Sequence, residues 1–298
     1  MNYFEHVTVA LCLDAVDHDL LRYARLFRDL GEGRVRFSFV HVLPSVEDAM
    51  RRGQTPRSFA DVRSELHAMV TEQFGEVAVA DVPVLTGPHL DKLLAAVADA
   101  GSDLVMVGHR RSARGRRSSS RRLAMNAPCS VCMVPEGSGP RISAVLAATD
   151  FSQPSAHAVS LATLIARRAG HETCTVVHVL EPSAYGSPAA ERQEIARAFD
   201  RFLAPLDLHG VQVQPVQEES RSVAAAVARL VDAGRADLVV LGTRGRGPSA
   251  AALLGSESEQ VLLESTVPVV VTKDRGERLG ILSALLDRKF RGTEPQFG

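Results

Sequence analysis

The chain has 298 residues, 45% of them hydrophobic, and a formal net charge of −1. This balance excludes the strong electric field that holds nucleic acid or an anionic membrane non-specifically, so we expect no specific nucleic-acid partner. The length suits two domains of about 150 residues each. No run reaches the roughly 20 apolar residues of a membrane span, and the first run is too short for a secretory signal. Four cysteines without a disulfide framework predict a cytoplasmic protein.

Short apolar runs alternate with helix-like segments along the chain. In the first half we predict strands at Val7–Leu13, Val35–Val42, Glu76–Leu85, Leu104–Gly108 and Cys129–Val134. In the second half we predict them at Ile142–Thr149, Thr173–Leu180, Val211–Val216, Leu238–Gly242 and Val267–Thr272. Intervening segments such as Ser155–Ala169 and Val223–Ala233 carry apolar residues at helical spacing. Continuous rather than alternating apolar runs indicate strands that are covered on both faces.

The second half of the chain repeats the first. An aspartate ends the first strand of each half, at Asp14 and Asp150, and RFSFVHVL, SDLVMVG and PCSVCMVP recur as TCTVVHVL, ADLVVLG and PVVVTKD. A repeat of this length is typical of a duplicated domain. The fold class we predict is α/β, with two tandem doubly wound domains, each with a five-stranded parallel sheet and helices on both faces. We place domain 1 at residues 1–138, domain 2 at 139–274, and an amphipathic tail at 275–298.

A glycine-rich stretch follows the fourth strand of the second half. It runs Gly242-x2-Gly245-x9-Gly255-Ser256 and leads into a helix-like segment, Glu257 to Glu264. A glycine turn at a strand end lets backbone N–H groups approach a phosphate, and a helix that starts at Ser256 aims its positive end at the same place. The stretch therefore predicts a nucleotide-phosphate cradle.

The arrangement resembles the universal stress protein family in its tandem two-domain form. The resemblance covers residues 5–136 and 141–274, and it depends on the glycine motif together with Ala148-Thr149-Asp150-Phe151-Ser152 and His178-Val179. It implies that ATP or another adenine nucleotide, with or without Mg²⁺, binds in domain 2. The binding residues that it implies are Ala148, Asp150, Val179, Leu241, Gly242, Arg244, Gly245, Gly255, Ser256 and Glu257.

Several of these positions also have interpretations that need no ligand. Asp150 suits a sugar hydroxyl or, equally, a turn that leads into the next helix. Ser256-x-x-Glu259 matches a capping box. Glu257 and Glu259 complement the helix dipole but would repel a phosphate, and Arg244 and Arg246 could offset that repulsion.

The first half departs from the motif. Asp14 is kept, but Gly108 is followed by His109-Arg110-Arg111 without a second glycine. We therefore expect at most one nucleotide per chain, bound in the second half. Residues 110–122 hold seven arginines and no acid. Such a run is typical of a solvated loop. Alternatively, the arginines could bind the phosphates of a nucleic acid or an acidic face of a protein.

Two further features have structural interpretations. Cys129 and Cys132 have redox or metal spacing but lie three apart in a strand, so their side chains diverge and we expect core cysteines. The tail has an apolar helical face, formed by Leu279, Leu282, Leu286 and Phe290. We expect this face to pack back on its own domain or to cover a sheet edge, and docking on a partner protein or an acidic membrane surface is the alternative.

The sequence thus predicts a nucleotide-binding regulatory protein of the stress response, without a dedicated catalytic set for phosphoryl transfer. Slow hydrolysis of bound ATP stays open, and an adenylate-forming or hydrolysing enzyme is the weaker alternative. The main alternative is a nucleotide-independent interaction module that acts through the arginine-rich loop and the tail. We expect the last strand of each half to pair with the other, as an intramolecular contact, and homodimerisation through another face stays open.

Overall fold

The structure is a computed structural model that describes residues 4–51, 53–75, 82–110, 122–182, 188–243 and 254–273. The strands of the first half are β1 (His6–Leu11), β2 (Arg36–Leu43), β3 (Val84–Thr86), β4 (Leu104–His109) and β5 (Ser130–Pro135). Its helices are α1 (Val16–Leu30), α2 (Val46–Arg51), α3 (Phe59–Phe74) and α4 (His89–Asp99). The second-half strands are β6 (Val145–Ala148), β7 (Thr173–Leu180), β8 (Gln212–Glu219), β9 (Leu238–Gly242) and β10 (Val269–Thr272). Its helices are α5 (Gln153–Arg168), α6 (Pro188–Leu203), α7 (Val223–Asp232) and α8 (Ser256–Glu264).

The predicted strands all have counterparts, and most bounds agree within a few residues. The third strand is the exception, because β3 covers only Val84–Thr86 where Glu76–Leu85 is predicted. Residues 76–81 of that prediction lie outside the described part of the chain.

All ten strands form one sheet, in the order β3-β2-β1-β4-β5-β10-β9-β6-β7-β8. Neighbouring strands within each half are parallel. If the five strands of each half are numbered along the chain, both halves have the order 3-2-1-4-5. The predicted α/β class with doubly wound parallel sheets is confirmed, and the two five-stranded halves are continuous rather than separate.

The halves join where β5 and β10 run antiparallel. Val131, Cys132 and Met133 lie opposite Val271, Val270 and Val269. Every residue of both strands is buried, so each strand covers the other's apolar edge. The N–H of Lys273 also donates to Ser130 Oγ at 3.1 Å, and its ammonium donates to the carbonyl of Ala127 at 2.6 Å.

Helices cover both faces of the sheet. On one face α1, α3, α5 and α6 contribute Leu20, Leu66, Leu161 and Phe199 to the core. On the other, α4, α7 and α8 contribute Leu93, Val227 and Leu262. Cys132 lies in the first core and Cys129 in the second, both fully buried, which confirms that the two cysteines diverge.

The aspartate of the repeated Asp-Leu-Val motif has the same structural role in both halves. Asp103 accepts backbone hydrogen bonds from Glu5 and His6 at 2.7 and 3.1 Å. Asp237 accepts them from Ser143 and Ala144 at 2.9 and 3.0 Å. Each carboxylate therefore fixes the start of the first strand of its half beside the fourth. The sequence repeat contains both aspartates, but spacing along the chain did not indicate this role.

Within the described ranges, no helix combines the length and the apolar character that a membrane crossing requires.

Replacing Asp237 with alanine should destabilise the protein, because two backbone donors of a largely buried site would lose their acceptor. We expect the free energy of unfolding to fall by about 2–3 kcal/mol, measured by urea denaturation. Arg141→Ala is the matched control. It removes the other partner of Asp237, but the Arg141 side chain is 73% exposed, so we expect a change below about 1 kcal/mol. Equal losses in the two variants would contradict the role of Asp237 as a strand-start acceptor.

Candidate functional site

The sheet of the second half has its topological switch point between β6 and β9. From β6 the chain proceeds to β7 on one side, and later to β9 on the other. Doubly wound sheets bind ligands beyond the carboxyl ends of the strands at such a point. Asp150 follows β6 and Gly242 ends β9, so the fold brings these two predicted site residues to the same edge.

The turn after β6 is held by its own side chains. Asp150 Oδ1 accepts from the N–H and the hydroxyl of Ser152 at 3.1 and 2.5 Å. Ser152 is the N-cap of α5 and accepts from the N–H of Ser155. The turn interpretation of Asp150 is therefore confirmed, and the residue also lies at the end of β6.

Three other predicted residues line or support this edge. Ala148 is half-buried and pairs with Val177 of β7, and Val179 is half-buried near the end of β7. Leu241 is buried in the core, and its carbonyl accepts from Thr272 Oγ1 at 3.2 Å.

Gly242 has a packing reason to be glycine. A Cβ atom at this position would lie 2.7 Å from the carbonyl carbon of Pro154 and 2.8 Å from its oxygen. The end of β9 therefore passes directly against the first turn of α5. This close approach requires glycine whether or not a ligand binds, which the sequence motif alone did not indicate.

Helix α8 begins at this edge with its N-terminus uncapped by side chains in the described part of the chain. Its N-cap is Gly255, whose N–H donates to the carbonyl of Thr243 at 2.7 Å. The capping-box interpretation of Ser256 and Glu259 is wrong, because Ser256 is already the first helical residue. A helix terminus of this kind presents N–H groups and a positive dipole end.

The first acid of α8 binds a different helix. Glu257 Oε2 accepts from the N–H of Val223, in the first turn of α7, at 3.1 Å. The negative charge of Glu257 is therefore stabilised by the positive end of α7. This contact reduces the repulsion that we expected between Glu257 and a phosphate. Ser258, one position further, donates from its hydroxyl to the carbonyl of Gly242 at 2.9 Å and ties α8 to the end of β9.

The remaining predicted residues of the cradle, Arg244 and Gly245, lie outside the described residues, as do residues 111–121 of the arginine-rich loop and the tail after Lys273. Among the residues that are described, no group of three or more His, Cys, Asp or Glu side chains could hold a metal ion.

The equivalent turn of the first half has different chemistry. Leu13 and Phe151 both have positive φ, at 57° and 63°. His41 donates to the carbonyl two residues before Leu13, and His178 to the carbonyl two residues before Phe151, both at 2.8 Å. The position of Asp150 therefore corresponds to the exposed Cys12 and not to Asp14. Matching the two aspartates by sequence was wrong, because Asp14 lies two residues further on.

Three charged side chains lie at this edge of the first half, those of Asp17, Asp14 and Arg110. The buried Asp17 carboxylate accepts from the N–H groups of Cys12 and Leu13 at 2.9 and 2.7 Å. Asp14 faces the guanidinium of Arg110, with Oδ2 and Nε 3.4 Å apart. Burial, with a smaller contribution from the charge of Asp14, raises the pKa of Asp17 from 3.8 to about 6, although backbone hydrogen bonds from Cys12, Leu13 and Asp14 act to lower it. The sequence repeat gave no signal for Asp17, because the second half uses Ser155 at the corresponding place.

The strand order and the helices on both faces define the class, a doubly wound α/β protein built from two similar halves. The model of the universal stress protein family matches residues 142–273. The Thermus aquaticus universal stress protein in the QAH/OAS sulfhydrylase 3′ region is 30% identical over 134 residues, which cover 43% of this chain and 97% of that protein. The chain therefore belongs to the universal stress protein family.

Solved structures share the fold over nearly the full length. A universal stress protein from Archaeoglobus fulgidus is 19% identical, with a TM-score of 0.65 over 91% of this chain and 96% of that chain. A protein of unknown function from Pseudomonas aeruginosa is also 19% identical, with a TM-score of 0.68 over 95% and 98% of the two chains. Both likenesses extend over the two halves.

Replacing Gly242 with alanine should destabilise the fold, because the new methyl group would meet the Pro154 backbone. We expect a loss of about 2–3 kcal/mol in the free energy of unfolding, measured by urea denaturation without ligand. Gly108→Ala is the matched control in the first half, where the three atoms nearest to the methyl group all belong to the Val16 side chain and not to backbone. A smaller loss is expected there. A ligand-free Gly242→Ala variant as stable as the unsubstituted protein would contradict the packing explanation.

Asp17→Asn should change the pH dependence of stability. Because the folded-state pKa is about 6 and the ordinary value is 3.8, the folded protein holds a proton that the unfolded chain releases between these values. The contribution of Asp17 to stability therefore falls as pH rises from about 4 to 6, by on the order of 3 kcal/mol. The variant lacks this fall.

Urea denaturation at pH 4.5 and pH 7.5 measures the difference between Asp17→Asn and the unsubstituted protein. We expect that difference to shift in favour of the variant at the higher pH. A difference that is independent of pH would show that Asp17 ionises normally in the folded state.

Proposed function

We propose that the chain binds one adenine nucleotide, ATP, at the switch point of its second half, and that it acts as a regulatory protein of the stress response rather than as a dedicated catalyst. The observation that carries the proposal is the convergence of the Asp150 turn, the end of β9 at Gly242 and the N-terminus of α8 at one sheet edge. Family membership supports the regulatory role.

The chemistry of this edge suits the parts of a nucleotide. The N–H groups at the start of α8 and its positive dipole end favour phosphate oxygens. A carboxylate at the end of β6 suits a ribose hydroxyl, because an ionised acceptor forms a strong hydrogen bond with an O–H donor. The half-buried Val179, near the end of the neighbouring β7, offers an apolar and backbone surface for the base. Any Mg²⁺ would be carried by the phosphates of the nucleotide.

The two halves should differ in binding. In the first half the carboxylate position is Cys12, and the buried Asp17 already occupies the N–H groups of the turn. Its ionised form and Asp14 both place negative charge where an anion would have to approach, although Arg110 neutralises part of it. These contacts support a single nucleotide per chain.

Isothermal titration of the full chain with ATP, with and without Mg²⁺, tests the proposal. We expect one binding site per chain and no rapid turnover when phosphate release is followed at saturating ATP. Two equivalent sites would overturn the asymmetry between the halves. No binding at all would overturn the proposal and favour the nucleotide-independent interaction module, whereas rapid turnover would favour an enzyme.

Gly255→Val tests the phosphate cradle. The backbone of Gly255 has φ −69° and ψ 149°, which a β-branched residue adopts readily, but the side chain would crowd the start of α8. We expect ATP affinity to fall at least about tenfold, or about 1.4 kcal/mol. The free energy of unfolding should fall by only about 1 kcal/mol, because valine is a poorer N-cap than glycine. Gly139→Val is the control, because a Cβ atom at Gly139 would meet nothing within 4 Å, and this variant should bind ATP normally. Unaltered binding by Gly255→Val would rule out the cradle.

A further inference from the structure

An aromatic cluster lies beside the Asp150 turn. The ring of Phe151 stacks on that of His178, with centroids 4.5 Å apart at 31°. It meets Phe199 and Phe202 of α6 edge-on, at 5.1 and 5.5 Å. Phe199 is buried and Phe202 is partly buried against the same core. The residue that directly follows Asp150 is therefore held from two sides, by strand β7 and by helix α6.

The cluster connects the two strand ends that the proposed nucleotide would contact. Phe151 follows Asp150, and His178 precedes Val179, so the stack joins the residues next to both positions. The Nδ1–H of His178 also donates to the carbonyl of Thr149 at 2.8 Å. The end of β6 and the end of β7 are thus fixed to each other by this side-chain hydrogen bond and the ring contact, in addition to the backbone bond from Thr149 to the carbonyl of Val177 at 2.8 Å.

The backbone at Phe151 is unusual for a bulky residue. Its φ of 63° lies in the left-handed region, which such a side chain adopts only when its surroundings outweigh the cost. The N–H of Phe151 donates to Thr149 Oγ1 at 2.9 Å, which helps to hold this conformation.

The first half provides an internal comparison. Leu13 has the same positive φ, and His41 makes the same hydrogen bond to the strand end. The left-handed turn therefore forms without an aromatic side chain. The halves differ in that the carboxylate and the aromatic ring occur together in the second half, as Asp150 and Phe151, and are both replaced in the first, by Cys12 and Leu13.

We propose that Phe151 is a positioning residue for the ligand. Through its stack on His178 it sets the Asp150 carboxylate at a fixed distance from the Val179 end of β7, so that one nucleoside reaches both. This makes the site selective for ribonucleotides over their deoxy analogues. The inference rests on the proposed function, because it assigns Asp150 to a sugar hydroxyl.

The test compares ATP with analogues that lack the 2′- or the 3′-hydroxyl, titrated into the full chain. We expect the unsubstituted protein to prefer ATP over the weaker analogue by at least about tenfold, as a charge-assisted hydrogen bond allows. Phe151→Leu, which copies the first half, should reduce that ratio to about threefold or less while the weaker analogue binds almost as before. Asp150→Asn should do the same, and the double variant should lose no more than Asp150→Asn alone.

Control variants distinguish a positioning role of Phe151 from a loss of the folded structure. Leu13→Ala alters the equivalent turn of the first half and should leave the ratio unchanged. If Phe151→Leu lacks a cooperative unfolding transition, Phe202→Leu removes one ring from the cluster without altering the turn, and it should reduce the ratio in the same direction. Equal weakening of ATP and both analogues would indicate a merely structural role and overturn the inference.

The outcomes also distinguish this inference from the proposed function. ATP binding with no preference over either analogue, or with a preference that survives Phe151→Leu, overturns only the role of Phe151. Absence of ATP binding to the unsubstituted protein overturns the proposed function and this inference with it.

Discussion

The antiparallel pairing of β5 with β10 is the contact on which the architecture depends. Each strand is the last of its half and is wholly buried, so neither half could expose it to water without leaving an apolar edge and unpaired backbone groups. The pairing makes two five-stranded sheets into one sheet of ten. Further hydrogen bonds cross the junction, including Tyr23 to the Arg141 carbonyl at 2.9 Å and Arg168 to the Leu30 carbonyl at 2.7 Å. The halves consequently share both cores, one on each face of the sheet.

The same backbone supports two different chemistries at the strand edge. Both halves have a left-handed residue after the first strand and a histidine that ties the second strand to the first. In the first half a buried acid, Asp17, accepts from the N–H groups of Cys12 and Leu13. In the second half the N–H of Phe151 donates to the Thr149 hydroxyl, and Ser152 donates to the carboxylate of Asp150 at the strand end. A duplicated scaffold can thus keep its fold in both copies while the side chains at the strand edge differ between them.

The motif residues of the second half divide into those that the fold requires and those that a ligand would explain. Gly242 is required by the closeness of β9 to α5, and Ser152 by the start of α5. Gly255 is an N-cap without a side chain, and the helix behind it begins with N–H groups that no described side chain caps. These N–H groups, rather than the glycines themselves, are the feature that a bound phosphate would explain.

The sequence by itself determined the fold class, because continuous apolar runs and helical spacing report directly on which residues are buried. It also determined the repeat and the family, and it located the strand ends at Asp150, Val179 and Gly242. Only the tertiary structure decided the correspondence of Asp150 with Cys12, the bond from Glu257 to a different helix, and the aromatic stack on Phe151. Each of these depends on contacts between residues far apart in the chain. Strand register, helix approach and side-chain direction set such contacts, and none of the three can be obtained from spacing along a single sequence.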